Sequence, residues 1–440
     1  MSMNDALSEP LQLPCGASLG NRISKAGMTE GLSDRYLRAT PKLCKLYERW
    51  SRGGGGLLIT GNVQIDKRVL ERPGNVAIDA NGGRRELEMW ARAGTSGGNH
   101  LWMQISHAGR QAPWYATWEP LAPSEVQLKI LGTYRKPRAL TGGEIQDLIG
   151  RWATAAGVAK DCGFTGVQIH AAHGYLLSSF LSPVTNRRDD EWGGSLENRA
   201  RVVIETIRAV RKRVGPDFPV AIKLNSADFQ RGGFEFDDCL RLVEMLNAEG
   251  LDLMEISGGS YEQPRLLGYQ GDAQSAHGSK STAKREAYFL EYAKQVRALA
   301  KMPVMVTGGF RSREVMLSAL ESGDADVVGI GRPMCGDPDI AGKLLRGEVS
   351  ETPRFEQTLT IMRGSQSNPL SRLWPLQVFG QQAWYYMQLF RMGRGKDPKW
   401  SLRPMVCFLR YQMDELLQSL LLKRRNPPVE QEVPEHAGHR

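Results

Sequence analysis

The sequence predicts an α/β protein: a (β/α)8 TIM barrel with a helical C-terminal extension. Three observations carry that prediction. From about residue 20 to 345, short runs rich in Val, Ile and Leu alternate with longer amphipathic stretches, the pattern of parallel strands joined by crossover helices. The runs number eight, which suits a closed barrel better than a doubly wound open sheet. Gly163, Gly215, Gly250 and Gly323 each stand at or just beyond a helix end, where a left-handed cap favours glycine.

In chain order the strands are expected at 22–28, 56–60, 101–106, 166–170, 220–225, 251–256, 303–307 and 325–330. Helices are expected at 41–52, 84–93, 143–162, 198–214, 236–249, 284–300 and 312–321, with a short one near 338–345. Chemistry in such barrels collects at the C-terminal ends of the strands, so function is read from the residues just after each run. Two of these loops are long. Residues 110–141 follow strand 3 with Trp114, Tyr115 and Trp118, and 257–282 follow strand 6 with Tyr261, Tyr269 and His277. Their length and aromatic content favour lids over plain covering flaps.

Beyond residue 346 the βα rhythm stops, dividing the chain into a barrel over 1–345 and an extension over 346–440. That division fits the length, because single hydrophobic cores stop growing at roughly 250 to 300 residues and this chain has 440. Residues 374–411 are crowded with aromatics interleaved with Arg391, Arg394, Lys396 and Lys399; 414–423 reads as an amphipathic helix and 426–440 as a polar tail. The net charge of +9 is concentrated here, since 361–440 holds 12 Lys/Arg against 6 Asp/Glu. The extension could dock on an anionic membrane surface, or pack on the barrel or a second subunit of a homo-oligomer; aromatic density favours packing. No nucleic-acid-binding module accompanies the charge.

The six cysteines, at 15, 44, 162, 239, 335 and 407, include no Cys-x-x-Cys pair, which argues against zinc ribbons and local iron–sulfur runs and fits a reducing compartment. The first residues carry Asp5 and Glu9 and no long apolar run, and no stretch reaches the ~18 apolar residues of a membrane span. A cytoplasmic protein is expected.

The most informative stretch is His170-Ala-Ala-His173-Gly-Tyr175, which sets two imidazoles and a phenol at the end of strand 4. Zinc could use a His-x-x-His pair, but further ligands are not evident and no metal is expected. Two neutral imidazole N–H donors converging on one oxygen would instead polarise a carbonyl, with tyrosine as a proton source. A purely structural histidine is the alternative, and is weaker for both together. At strands 7 and 8, Val306-Thr-Gly308-Gly309-Phe-Arg311 and Val328-Gly-Ile-Gly331-Arg332-Pro333 together read as a phosphate cradle. Glycine admits close backbone approach, and Arg332 can bind phosphate bidentately. Thr29, Gln104 and Lys223 stand at strand ends where a planar ring could rest. A buried Lys223 needs an anionic partner; this is either the ring or an internal salt bridge with Glu255 or Asp228.

These residues resemble the old yellow enzyme family of FMN-dependent ene-reductases, in its bacterial NADH:flavin oxidoreductase branch. The likeness runs over roughly residues 10–345. It rests on Asn21-Arg-Ile-Ser-Lys-Ala-Gly-Met-Thr-Glu30, Gln104-Ile-Ser-His-Ala-Gly-Arg-Gln111, Pro120-Leu-Ala-Pro-Ser124, His170-Ala-Ala-His-Gly-Tyr175, Phe180-Leu-Ser-Pro183, the stretch from Asn186 to Arg199 and the two glycine turns. It implies FMN across the barrel mouth. Ala26, Gly27, Met28 and Gly61 would contact the flavin, Thr29 would tune its O4/N5 edge, Gln104 would hold the pyrimidine, Lys223 would face N1/O2, and the Gly308–Gly309 turn, Gly331 and Arg332 would hold the phosphate. The resemblance further implies an α,β-unsaturated carbonyl substrate gripped by His170 and His173, hydride transfer from flavin N5 to Cβ, a proton from Tyr175 to Cα, and NADH or NADPH as reductant. The family often has Pro where Gly27 stands and Arg where Lys223 stands, so the flavin potential is expected to differ. Two other functions fit a flavin barrel: a dehydrogenase or oxidase of an amine or saturated ring, and a non-catalytic membrane-associated protein.

Overall fold

Eight parallel strands close on one another: β1 (Ile23–Lys25), β2 (Leu57–Ile59), β3 (His100–Ser106), β4 (Gly166–Ala171), β5 (Val220–Asn225), β6 (Leu253–Ser257), β7 (Val304–Thr307) and β8 (Val327–Ile330). Each pairs with the next in sequence, and β8 returns to β1 with Val328 opposite Ile23, so the ring has no edge. The computed structural model describes residues 5–130, 132–257, 292–361 and 374–422. Helices follow the strands in turn: α1 (Pro41–Ser51), α2 (Arg84–Gly94), α3 (Gly142–Asp161), α4 (Leu196–Val214), α5 (Phe236–Leu246), α6 over 292–299, α7 (Arg313–Glu321) and α8 (Ile340–Leu345). Residues 284–291 of the expected sixth helix lie outside the described residues, as do Tyr261, Tyr269 and His277 of the second long loop.

The period-2 alternation of the strands sorts their side chains into an outer face and three inner layers. Met103, Ile105, Val167, Ile169, Ile222, Leu224, Met254 and Ile256 belong to the core shared with the helices. The inward set starts with an apolar layer of Leu57, Trp102, Ala221, Leu253, Met305 and Val327, joined by Leu11, Leu13 and Leu19 of an N-terminal hairpin. Gly166 makes room there, because a Cβ on it would lie 2.5 Å from the Trp102 indole. Two residues further along come Gln104, Gln168, Lys223 and Glu255; two more bring Ser106, His170, Asn225 and Ser257 to the mouth.

The first strand ends at Lys25 rather than 28. From Ala26 the chain turns across the mouth, and Gly27 runs so close to Gln104 that a Cβ would lie 2.7 Å from its Oε1.

Among its described residues the extension has a four-residue helical turn at Phe355–Thr358 and two long helices, α9 (Trp374–Gly393) and α10 (Pro404–Leu421). The second begins ten residues before its expected start, with Pro404 at N1, where its fixed φ suits a first turn. The extension packs on the barrel. The Trp400 indole donates to the Gly336 carbonyl of the barrel at 2.7 Å, and within the extension Trp384 is fully buried with its ring 5.2 Å from Phe355. Within α10, Glu415 pairs with Arg72 at 2.6 Å, both buried, and the guanidinium lies 3.9 Å from the centre of the Tyr386 ring, which stacks on Tyr411. The opposite face of α10 exposes Val406, Leu409, Met413, Leu416, Leu417 and Leu420. No helix among the described residues is long and apolar enough to cross a membrane.

Removing one member of a buried ion pair strands the other. Glu415→Ala is expected to cost about 3–5 kcal/mol, read as a lowered melting temperature, while Arg72→Met combined with Glu415→Leu recovers most of the loss. An unchanged melting point in Glu415→Ala would contradict this role.

Candidate active site

β4 delivers His170 to the mouth, and the turn after it brings His173 and Tyr175 to the same place. The imidazole centroids of His170 and His173 are 5.3 Å apart, and the Tyr175 ring is 4.7 Å from His170. His173 adopts φ 62°, a left-handed conformation uncommon for a side-chain-bearing residue. Its backbone N–H donates to Asn225 Oδ1 at 3.0 Å, and its ring Nε2 lies 2.8 Å from Ser257 Oγ. His170 Nδ1 is 3.4 Å from Ser106 Oγ. Burial holds both imidazoles well below the ordinary histidine value; the Lys223 charge adds to this for each, and His173 adds to it for His170. Both are therefore neutral near pH 7, the form that donates one N–H and accepts at the other nitrogen.

Beneath them runs a buried polar chain across four strands. Gln104 Nε2 donates to Gln168 Oε1 at 2.6 Å, Gln168 Nε2 donates to Glu255 Oε2 at 2.8 Å, and Lys223 Nζ meets Glu255 Oε1 at 2.7 Å. Lys223 thus has the carboxylate partner that its burial demands. Glu255 is one of the two carboxylates the sequence offered as a partner for Lys223, whereas Gln168 and the mouth-lining Ser106, Asn225 and Ser257 were not among the sequence candidates. Every-second-residue counting from Gln104, His170 and Lys223 would have reached them.

The loop after β1 is tightly fitted. The Gly61 N–H donates to Glu30 Oε1 at 2.8 Å, and a Cβ on Gly61 would lie 2.5 Å from the Met28 carbonyl oxygen. Glu30 also accepts from the Tyr47 hydroxyl, and Lys25 Nζ donates to the Ile59 carbonyl at 2.7 Å over the Trp50 ring. Burial lowers Lys25 to about 8 and raises Glu30, despite their mutual attraction. This cluster went unseen in the sequence, where the residues between Lys25 and Glu30 were singled out and these two were not. Glu71 was missed as well. Its Oε1 accepts from the Tyr175 hydroxyl at 2.6 Å, and its Oε2 accepts from Thr29 Oγ1 at 2.9 Å and Asn62 Nδ2 at 2.7 Å.

On the other side of the mouth, Gly308 and Gly309 both take left-handed φ, 106° and 85°. The pairing of Thr307 with Gly329 sets the ends of β7 and β8 side by side, bringing Gly331 and the exposed Arg332 near that turn. Met28 reaches this side, since a Cβ on Gly331 would be 3.6 Å from its Sδ. Burial disfavours the charge on Glu356, but Arg311 and Arg332 outweigh it and hold the carboxyl below its ordinary value. Among the described residues no cluster of His, Cys, Asp or Glu is arranged to hold a metal.

An accessible glycine turn with an arginine beside it suits a phosphate, and an amide, a hydroxyl and an ammonium around the mouth suit the polar edge of a flavin. At Gly27 and Gly61 the backbone runs too close to Gln104 and to Met28 for any side chain. The residues fit FMN.

The barrel and this donor set define a flavin-dependent oxidoreductase. The NADH:flavin oxidoreductase / NADH oxidase family matches residues 6–351, and the chain belongs to that family, the one that includes old yellow enzyme. The chain is 37% identical over 352 residues to the NADH-dependent flavin oxidoreductase iliE of Hypocrea jecorina, covering 75% of this chain and 86% of the relative. It is 31% identical over 416 residues to the NADH-dependent flavin oxidoreductase iccE of Talaromyces variabilis, covering 88% and 98%, a match that takes in more of the chain than the family's common part. Its fold matches the old yellow enzyme homologue of Zymomonas mobilis with TM-score 0.66 and 26% identity, covering 83% of this chain and all of that one. FMN is the cofactor, and NADH or NADPH the reductant.

His107 joins the two mouth histidines as a base that burial keeps neutral, with its value lowered to about 4. Below the unfolded value of about 6.5, the unfolded chain takes up protons that the folded one does not. Stability is therefore complete above about pH 6.5 and falls as the pH drops, by up to about 1.4 kcal/mol per pH unit for each histidine. Melting temperatures at pH 7.5 and 5 should show the decline; equal values would contradict it.

Proposed function

We propose that the chain reduces the activated C=C bond of α,β-unsaturated carbonyl compounds. The observation that carries this reading is the meeting of two neutral imidazoles and a phenol at one point of the barrel mouth. His170 and His173 donate N–H bonds to the substrate carbonyl oxygen, drawing charge from the alkene and stabilising the enolate that develops. Bound FMN supplies the hydride for Cβ. Tyr175 gives its proton to Cα; a phenol is weakly acidic, which suits a group that must hold its proton until the enolate forms. Ala26, Gly27, Met28, Thr29, Gly61, Gln104 and Lys223 hold the flavin ring, and Gly308, Gly309, Gly331 and Arg332 its phosphate. NADH or NADPH enters the same pocket before the substrate, giving ping-pong kinetics.

The exposed face of α10 supports a homo-oligomer more than a membrane contact. Its apolar residues recur at three- and four-residue spacing, which suits a second helix. Leu416→Glu with Leu420→Glu is expected to lower the mass measured by light scattering to that of a monomer. A monomeric parent that sediments with anionic liposomes would support the membrane instead.

Tyr175→Phe is expected to slow reoxidation of the reduced flavin by cyclohexenone at least tenfold in anaerobic stopped-flow, leaving flavin reduction by NAD(P)H intact. Equal loss in both half-reactions would remove Tyr175 as the proton donor. Flavin reduction by amines, with no response to enones, would favour the dehydrogenase reading.

A further inference from the structure

Gln64 takes no part in the steps above. Its side chain is wholly buried, and neither Oε1 nor Nε2 has a hydrogen-bond partner among the described residues. Native proteins keep few such groups, because a buried donor or acceptor left unpaired has given up its water for nothing. The place of this amide is set by register. The short strand Val63–Gln64 lies parallel to β3 with Gln64 opposite Ser106. Paired residues on neighbouring strands present their side chains to the same face, so Gln64 faces inward with Ser106, one layer beyond Gln104 and in the layer of His170. Neither neighbour uses the amide. The Ser106 hydroxyl lies against His170 Nδ1, and Ala77, opposite Gln64 on its other side, belongs to an apolar cluster with Leu37, Leu70 and Ala116.

We propose that Gln64 determines specificity by reading a second polar group on the substrate, and that this group is an uncharged amide. A glutamine side chain offers both an acceptor and N–H donors. The edge of a –CO–NH– or –CO–NH2 group carries the matching N–H and C=O side by side, so it satisfies Oε1 and Nε2 at once. A carboxylate would set its lone pairs against Oε1, an ammonium would set its N–H bonds against Nε2, and a single hydroxyl oxygen does not span both ends. The substrate class is then an α,β-unsaturated carbonyl compound with an amide beyond the alkene. His170 and His173 hold the activating carbonyl, and Gln64 holds the amide. The proposal rests on the reading of the mouth as an alkene-reducing site and adds what the substrate carries beside its enone.

Two measurements on the flavin-loaded protein test it. In anaerobic stopped-flow, reoxidation of the reduced flavin is compared for cyclohexenone, for a cyclohexenone carrying a primary carboxamide at C5, and for the N,N-dimethylamide of the latter, which keeps the amide carbonyl and loses the N–H. The parent is expected to favour the primary amide over the dimethylamide by about tenfold or more, and Gln64→Met to cut that preference to within about twofold. Gln64→Asn, which keeps both groups one methylene short, should retain part of it. The second measurement is the melting temperature. Gln64→Met should melt no lower than the parent, because an unpartnered amide gives way to an apolar chain of similar length. A preference that is absent from the parent, or that survives in Gln64→Met, in a protein that reduces cyclohexenone would overturn the proposal by itself and leave the amide holding an ordered water only. A lowered melting temperature in Gln64→Met would overturn it as well, by showing that the amide already has a partner in the fold. A protein that reduces none of the three enones would overturn it through the reading it rests on.

Discussion

The buried chain from Gln104 through Gln168 and Glu255 to Lys223 is the constraint on which the rest of the site depends. An ammonium and a carboxylate removed from water cost several kcal/mol each unless partners meet them at the right distance. Here the partners sit on β3, β4, β5 and β6, and the parallel registers place Gln104 beside Gln168 and Lys223 beside Glu255. A slip of one residue on any of these strands would turn its polar member out of the barrel. The polar layer thus ties the registers together, and the same registers lift His170, Asn225 and Ser257 one layer higher, where Asn225 and Ser257 hold the strained turn of His173.

The C-terminal extension belongs to the same construction. Trp384 of its first helix packs against Phe355, which also meets Trp400, the residue whose indole donates to the Gly336 carbonyl of the barrel, and its second helix clamps Arg72 on the side of the mouth where Glu71 meets Tyr175. The segment that carries much of the sequence's basic charge meets the barrel through both aromatic rings and acidic side chains: Tyr386 and Tyr411 against Arg72, Glu415 with Arg72, and Asp397 with Arg49. Residues outside the family's common part thereby shape the surroundings of residues inside it.

The barrel was legible because its signals are periodic and local: eight apolar runs, amphipathic spacers and glycine caps survive any uncertainty about packing. His170, His173 and Tyr175 were legible because three reactive side chains share six residues of chain. Glu71, Gln168, Glu30 and Lys25 were not, since each acquires its meaning from a partner distant in sequence; Glu71 and Tyr175 are 104 residues apart. The early start of α10 was hidden for a related reason. Its buried face is built from Cys407, Tyr411, Glu415 and Gln418, a set without the usual apolar stripe, while its Leu-rich face points outward. At Lys223 the sequence left a ring or a carboxylate as partner, and the carboxylate of Glu255 is what the fold provides.

The most direct test of the account is an anaerobic absorbance titration of the purified protein. It should be yellow, bleach on addition of NADH or NADPH, and regain its colour when cyclohexenone is added. A protein that bleaches with nicotinamide and stays bleached with every enone offered would contradict the assignment of His170, His173 and Tyr175 to alkene reduction.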